Sequence, residues 1–70
     1  MPLMLAPINK ELIIKKVLLD EKTKKHLESL GIFINGTLIV LSNVNGGVVV
    51  ALKDGRLALD HSIASKILVA

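Results

Sequence analysis

The sequence has no cysteine and only one residue of the Phe, Tyr and Trp group, Phe33. Without cysteine the chain has no disulfide scaffold, no thiolate zinc site and no cysteine nucleophile, and this composition suits a reducing compartment. Grooves that read proline-rich peptides, and platforms that stack single-stranded nucleic acid, are both built from aromatic side chains. With a single aromatic residue, the chain lacks the side chains that either recognition mode requires.

Arginine and histidine are also scarce. Arg56 is the only arginine beside eight lysines, and the formal net charge is +3. Sequence-specific readout of nucleic acid relies on arginine forks, so we do not expect nucleic-acid binding. His26 and His61 lie far apart, with no further ligands at metal-binding spacing, and no nucleophile–base pair is visible. The sequence therefore predicts no tight metal site, no resident cofactor and no enzymatic activity.

Aliphatic residues, in contrast, are abundant, with 13 Leu, 8 Ile and 7 Val in a chain of 70 residues. This supply excludes disorder and predicts one domain over residues 1–70. The uncharged run from Ser29 to Leu52 has the length of a membrane span, but glycines and asparagines interrupt it, so we do not expect membrane insertion. Pro2 and Pro7 break the apolar start of the chain, which does not fit a signal peptide, and we expect a cytoplasmic protein.

The first half of the chain predicts a strand followed by a helix. Residues 12–19 indicate a strand, and the three-residue spacing of Ile14 and Val17 predicts a bulge within it. Asp20 is suited to cap a helix that ends before Gly31, with Leu27 and Leu30 as its apolar anchors. We expect this helix to cover the outer side of the next strand, because both faces of that strand are apolar.

The second half predicts a meander of short strands. Asn45-Gly46 and Asp54-Gly55 are strong hairpin signals between β-branched runs. The predicted strands cover residues 37–42, 48–53, 56–59 and 67–69, with one helical turn capped by Asp60 before the last. Together these elements indicate a mainly β fold with a short α insertion, closed as a small, strongly bent barrel.

The order of these elements, with the residues that mark it, resembles the FeoA family, the ferrous iron transport protein A family. The resemblance spans nearly the whole chain and rests on the order and spacing of six segments. These are Met1-Pro2-Leu3, Ala6-Pro7-Ile8-Asn9, His26-Leu27-Glu28-Ser29-Leu30-Gly31, Asn45-Gly46-Gly47, Arg56-Leu57-Ala58-Leu59 and Ala64-Ser65-Lys66-Ile67-Leu68-Val69. It implies an SH3-like barrel of about five strands.

Three positions depart from the pattern of many relatives. Asn9 and Asn35 stand where a glycine is frequent, and asparagine is among the residues best able to adopt positive φ. We therefore expect both turns to be kept. The loop between the middle strands is shortened to Asn45-Gly46-Gly47, so any function of the longer loop does not carry over.

The resemblance implies a non-enzymatic accessory protein of ferrous iron uptake that docks on the cytoplasmic side of the FeoB permease, which carries its own GTP-binding domain. Weak transition-metal binding and weak homo-oligomerisation stay open. For docking we select three helix lysines and the exposed part of an apolar segment after the helix. These residues are Lys22, Lys24, Lys25, Ile32, Phe33 and Ile34. The alternatives are a small basic barrel that binds RNA or another protein, and a free-standing module like the C-terminal domain of metal-dependent repressors.

Overall fold

The structure is a computed structural model that describes all residues from 1 to 70. A 3-10 turn over Leu3–Leu5 precedes five strands and two helices. In chain order these are β1 (Glu11–Val17), α1 (Glu21–Ser29), β2 (Thr37–Val44), β3 (Gly47–Leu52), β4 (Gly55–Asp60), α2 (His61–Ala64) and β5 (Ile67–Val69).

All strand pairs are antiparallel, and the order across the sheet is β4-β3-β2-β1-β5. The mainly β fold with five strands and a short helix is therefore confirmed. The sheet is not closed, however, because no ladder joins β4 to β5. The expected barrel is thus an open, SH3-compatible sheet that surrounds a core of 15 buried apolar residues.

The predicted bulge in β1 is present. Leu12 and Ile14 face the core at the period of two, and the register then shifts between Ile14 and Lys16, so that Val17 also faces the core. One extra residue in a strand has this effect, because it reverses the alternation of the side chains beyond it. The bulge keeps three apolar residues of β1 on one side of the sheet.

Asparagine residues occupy the positions that need a left-handed backbone. Asn9 and Asn35 have φ of 64° and 71°, as their departure from glycine predicted. In the β2–β3 hairpin, Asn45 and Gly46 both have positive φ between the paired residues Val44 and Gly47, which defines a type I′ turn.

Helix α1 begins at the predicted cap and ends in a Schellman motif. The amide of Ile32 donates to the carbonyl of Leu27 at 2.9 Å, the amide of Gly31 donates to Glu28 at 3.1 Å, and Gly31 has φ of 106°. This motif normally brings the residue after the glycine into contact with the last apolar turn of the helix. Ile32 is accordingly fully buried, whereas Leu30, which we expected to anchor the helix, is 42 % exposed.

Two further expectations about packing need correction. Helix α1 buries only Leu27 and does not cover the outer side of β2, where Ile39 and Leu41 stay half-exposed. The core instead gains Leu3, which the 3-10 turn of the N-terminal segment carries into complete burial. The burial of Leu3 was not predicted from the sequence, because Pro2 and Pro7 interrupt any regular spacing of apolar residues around it.

The contrast between Leu27 and Leu30 gives a direct test of how the helix is anchored. We expect Leu27→Ala to lower the free energy of unfolding by about 2–4 kcal/mol, because it opens a cavity in a well-packed core. Leu30→Ala, which removes a half-exposed side chain, should cost less than about 1 kcal/mol. Urea unfolding of both variants measures this difference, and equal losses would contradict the observed helix end.

Both helices are capped by an aspartate. Asp20 accepts a hydrogen bond from the amide of Thr23 at 2.9 Å, and Asp60 accepts one from the amide of Ile63 at 2.8 Å. Hydrogen bonds from the hydroxyl and the amide of Thr23 hold the pKa of Asp20 below its ordinary value of 3.8. The Ser62 hydroxyl, and then the Ile63 amide, lower the pKa of Asp60 in the same way.

These lowered pKa values predict a loss of stability in acid. Each aspartate stabilises the folded state above its unfolded pKa, near 3.8, and this contribution disappears as the pH falls through the lower, folded value. We expect Asp20→Asn and Asp60→Asn to keep a capping side chain but to flatten the decline in Tm between pH 5 and 2. Asp54→Asn in the β3–β4 turn is the control, and an equal flattening there would contradict this assignment.

Candidate protein-docking groove

A concave surface lies between the end of α1, the segment that follows it and the β3–β4 hairpin. We call it the helix–hairpin groove; its volume is about 660 Å³. Its lining consists of Glu28, Ser29, Leu30, Gly31, Phe33, Asn35, Gly36, Thr37, Leu52, Lys53, Asp54, Gly55, Arg56 and Leu57.

Phe33 is the only aromatic member of this lining, and 48 % of its surface is exposed. Its ring folds back onto the chain over Gly36. A Cβ atom at position 36 would lie 2.9 Å from Cε1 of Phe33 and 3.0 Å from its carbonyl oxygen. Glycine is therefore needed at this position so that the ring can lie against the backbone and stay beside the groove.

A tight turn over residues 33–36 holds Phe33 in place. The amide of Gly36 donates to the carbonyl of Phe33 at 2.9 Å, and the positive φ of Asn35 at the third position is typical of a type II turn. The turn is tied to the sheet at Ile14, whose carbonyl accepts from the amide of Asn35 at 2.8 Å. The amide of Ile14 donates to Gly36 at 2.9 Å.

The lining of the groove includes charged side chains of both signs. Glu28 and Asp54 contribute carboxylates, while Lys53 and Arg56 contribute cations. Four of the 14 lining residues are large and apolar, and a mixture of apolar and charged groups of this kind is typical of surfaces that bind other proteins. The groove offers no concentrated charge that would select a phosphate or another small anion.

The structure separates the residues that we selected for docking. Phe33 lines the groove and Ile34 is 44 % exposed next to it, but Ile32 is fully buried and belongs to the core. Ile32 is thus removed from the surface set, because the Schellman motif turns it inward. Lys22 and Lys25 are exposed on α1 and Lys24 is partly exposed; none of the three lines the groove.

The sequence alone did not reveal that the β3–β4 hairpin forms the other wall of the groove. Leu52 and Leu57 lie about twenty residues beyond Phe33, and no local pattern connects them to it. In the structure, the side chain of Leu52 lies 3.4 Å from the position that a Cβ of residue 31 would occupy, so the two walls are in contact there.

The two histidines occupy different surroundings. His26 is exposed on α1. The Nε2 atom of His61 lies 2.9 Å from Oδ1 of the Asn43 side chain. The side-chain Nδ2 of Asn43 donates a hydrogen bond to the backbone carbonyl of Met4. His61 thus forms part of a link between α2, β2 and the N-terminal 3-10 turn.

The structure brings no three His, Cys, Asp or Glu side chains together as a set that could hold a metal ion.

Neither helix has both the length and the apolar character that are needed to cross a lipid bilayer. The uncharged run from Ser29 to Leu52 is instead divided among the end of α1, the turn over residues 33–36 and strands β2 and β3.

Three comparisons with known proteins agree. The family model described as "FeoA domain" matches residues 1–70. A protein of Methanocaldococcus jannaschii, named "Putative Fe(2+) transport protein A", is 35 % identical over 68 residues, which cover 97 % of this chain and 83 % of that protein. A crystal structure of an iron uptake regulatory protein (FeoA) superposes with a TM-score of 0.87 at 21 % identity, covering 99 % of this chain and 93 % of that one.

The close approach of Gly36 to Phe33 predicts a specific coupling between them. We expect Gly36→Ala to lower the free energy of unfolding by about 1–3 kcal/mol, because the added methyl group meets both the ring and the Phe33 carbonyl. In a Phe33→Ala background the same change should cost less, because the contact with the ring is gone. A double-mutant cycle in urea measures the coupling, and strictly additive losses would contradict the contact.

Proposed function

The chain belongs to the FeoA domain family, and from that premise we propose that it is an accessory protein of ferrous iron transport which docks on the cytoplasmic side of an FeoB-like permease. The observation that carries the role in ferrous iron transport is the family match over all 70 residues. The relative from Methanocaldococcus jannaschii, which bears the name of an Fe(2+) transport protein, supports the same role.

The docking surface is centred on Phe33. An exposed aromatic side chain held over a rigid turn loses little conformational freedom on binding, and residues of this kind dominate many interfaces. Phe33 is the only such residue of the chain and lies beside a groove that can receive a side chain of the permease. Ile34, exposed next to it, extends the apolar contact.

The lysines of α1 steer the encounter. Lys22 and Lys25 lie on the exposed side of the helix, opposite Leu27, and Lys24 lies nearer to the sheet. Exposed charges of this kind add little affinity in physiological salt, but they raise the rate of association with an acidic surface. The role of the lysines is therefore kinetic, while Phe33 supplies the binding energy.

In this function the protein acts without catalysis of its own, as an accessory chain in the cytoplasm. The family membership also explains why a module of metal-dependent repressors is the weaker alternative. The relative that is aligned with 97 % of this chain bears the name of a transport protein and not of a repressor.

Binding of the protein to the purified cytoplasmic portion of an FeoB-like permease tests the proposal. We expect the triple variant Lys22→Glu, Lys24→Glu, Lys25→Glu to lower the association rate about tenfold at low salt and much less at high salt. We expect Phe33→Ala to weaken the complex about tenfold or more, chiefly through faster dissociation.

Two matched variants separate these effects from general damage. Reversal of Lys10, Lys15 and Lys66 changes the net charge equally, on residues outside α1, and should leave the association rate closer to that of the wild type. Leu5→Ala removes an apolar side chain that is 70 % exposed and does not line the groove. If the folded α1 and Phe33 variants bind like the wild type, the surface is wrong; if the wild type does not bind, the docking proposal is wrong.

A further inference from the structure

The two edges of the sheet differ in how they are protected. At the β5 edge, the amide of Val69 donates to the carbonyl of Met1 at 2.8 Å, and the Met1 amino group donates to the carbonyl of Val69 at 2.9 Å. Pro2 forms a bridge with Leu68 beside them. Strand β4 forms the other edge, and no backbone hydrogen bond joins it to any strand other than β3.

The ladder with β3 determines which groups of β4 are free. Leu52 and Gly55 close the hairpin around a two-residue turn, so Gly55, Leu57 and Leu59 direct their backbone groups toward β3. The alternate residues Arg56 and Ala58 direct theirs outward, and so does the amide of Asp60, whose carbonyl is at the N-cap of α2. Their side chains are also exposed, on the face opposite to the buried Leu59.

We propose that β4 pairs antiparallel with β4 of a second copy of this chain, about a two-fold axis at Ala58. The two Ala58 residues then lie opposite each other, and Arg56 of each copy lies opposite Asp60 of the other. The two five-stranded sheets become one continuous sheet of ten strands. A strand edge with unpaired amides and carbonyls is a ready template for such pairing.

Charge complementarity selects this register. It places two Arg–Asp pairs across the axis, and opposite charges on directly facing residues stabilise a strand pair. In the registers on either side, Ala58 stands opposite Arg56 or opposite Asp60, and both ion pairs are lost. The alanines at the axis are small enough to let the two strands approach without steric conflict.

Asp60 is able to take part while it still caps α2. The amide of Ile63 and the hydroxyl of Ser62 both donate to the same carboxylate oxygen, Oδ1, at 2.8 Å and 2.6 Å. The second oxygen of the carboxylate has no hydrogen-bond partner within the chain, and the Asp60 side chain is exposed. An arginine can therefore approach it without displacing the cap.

Two six-residue strands form a small interface, so we expect a weak dimer that assembles as the concentration rises. Sedimentation equilibrium of the whole chain should show the apparent mass increase from 7.5 kDa toward twice that value. Arg56→Glu places two carboxylates opposite each other at both ion pairs and should raise the dimer Kd about tenfold. Lys53→Glu, the same charge change in the turn before β4, should leave the Kd within about twofold of the wild type.

A cysteine scan tests the register, because the chain has no cysteine of its own. In the proposed dimer the Cα atoms of the two residues 58 lie about 5.5 Å apart, which a disulfide can bridge. We expect Ala58→Cys to form a covalent dimer under oxidised glutathione. Ala51→Cys, on β3 opposite Arg56, is the matched control, since its two copies are separated by three strand spacings across the sheet and by four residues along the strands, about 20 Å in all.

The rate of alkylation of each monomeric thiol corrects for the different exposure of residues 51 and 58. Faster cross-linking at residue 58 after this correction supports the proposal. Equal cross-linking at the two residues would overturn it, and so would a wild-type chain that stays monomeric at millimolar concentration. Dimerisation that Arg56→Glu and Lys53→Glu weaken equally would show that a different surface is used.

Discussion

Two hydrogen bonds at Ile14 connect the core of this protein to its candidate functional surface. The Ile14 side chain is fully buried, while its amide and carbonyl bind Gly36 and Asn35. The preceding residue, Ile13, makes the equivalent pair of hydrogen bonds with Ala70 on the other side of the strand. Strand β1 is therefore hydrogen-bonded on both sides at this point, and the turn that carries Phe33 is fixed to a strand in the interior of the sheet.

This arrangement suits a chain that has no covalent staple. A domain of this size depends on its packed core, and every element contributes to that core here, including the 3-10 turn through Leu3 and the segment after α1 through Ile32. No polar or charged residue is buried. The few polar links, such as the one from His61 through Asn43 to Met4, lie at the margin of the core and join segments that are distant in sequence.

Local chemistry made much of the fold predictable. The bulge followed from the spacing of Ile14 and Val17, the β2–β3 turn from Asn45-Gly46, and the left-handed backbone of Asn35 from its place in a glycine-like turn. The sequence predicted that Leu30 is buried, but Ile32 is buried in its place. Helical periodicity led to this error, because it extends the apolar face of the helix beyond the residue where the helix ends. The Schellman motif at Gly31 changes the chain direction there, and its pattern of hydrogen bonds is what places Ile32 inside.

The candidate site was less predictable than the fold, for a physical reason. Phe33 and Ile34 could be selected because three large apolar residues in sequence cannot all be buried. The opposite wall of the groove, at Leu52 and Leu57, depends on how the sheet curves, and a single sequence does not encode that curvature locally. That β4 and β5 do not pair to close the sheet into a barrel was unpredictable for the same reason, since pairing of the two edges depends on the summed twist of five strands.

The position of Phe33 gives this protein a built-in spectroscopic reporter. Apart from the two histidines, Phe33 is the only source of aromatic ring signals in a proton NMR spectrum of the chain. Its ring lies against Gly36, so the ring current shifts the α-proton resonances of that glycine according to the orientation of the ring. Unlabelled protein thus reports on the state of the helix–hairpin groove through a few resolved resonances, without a tag or a substituted residue.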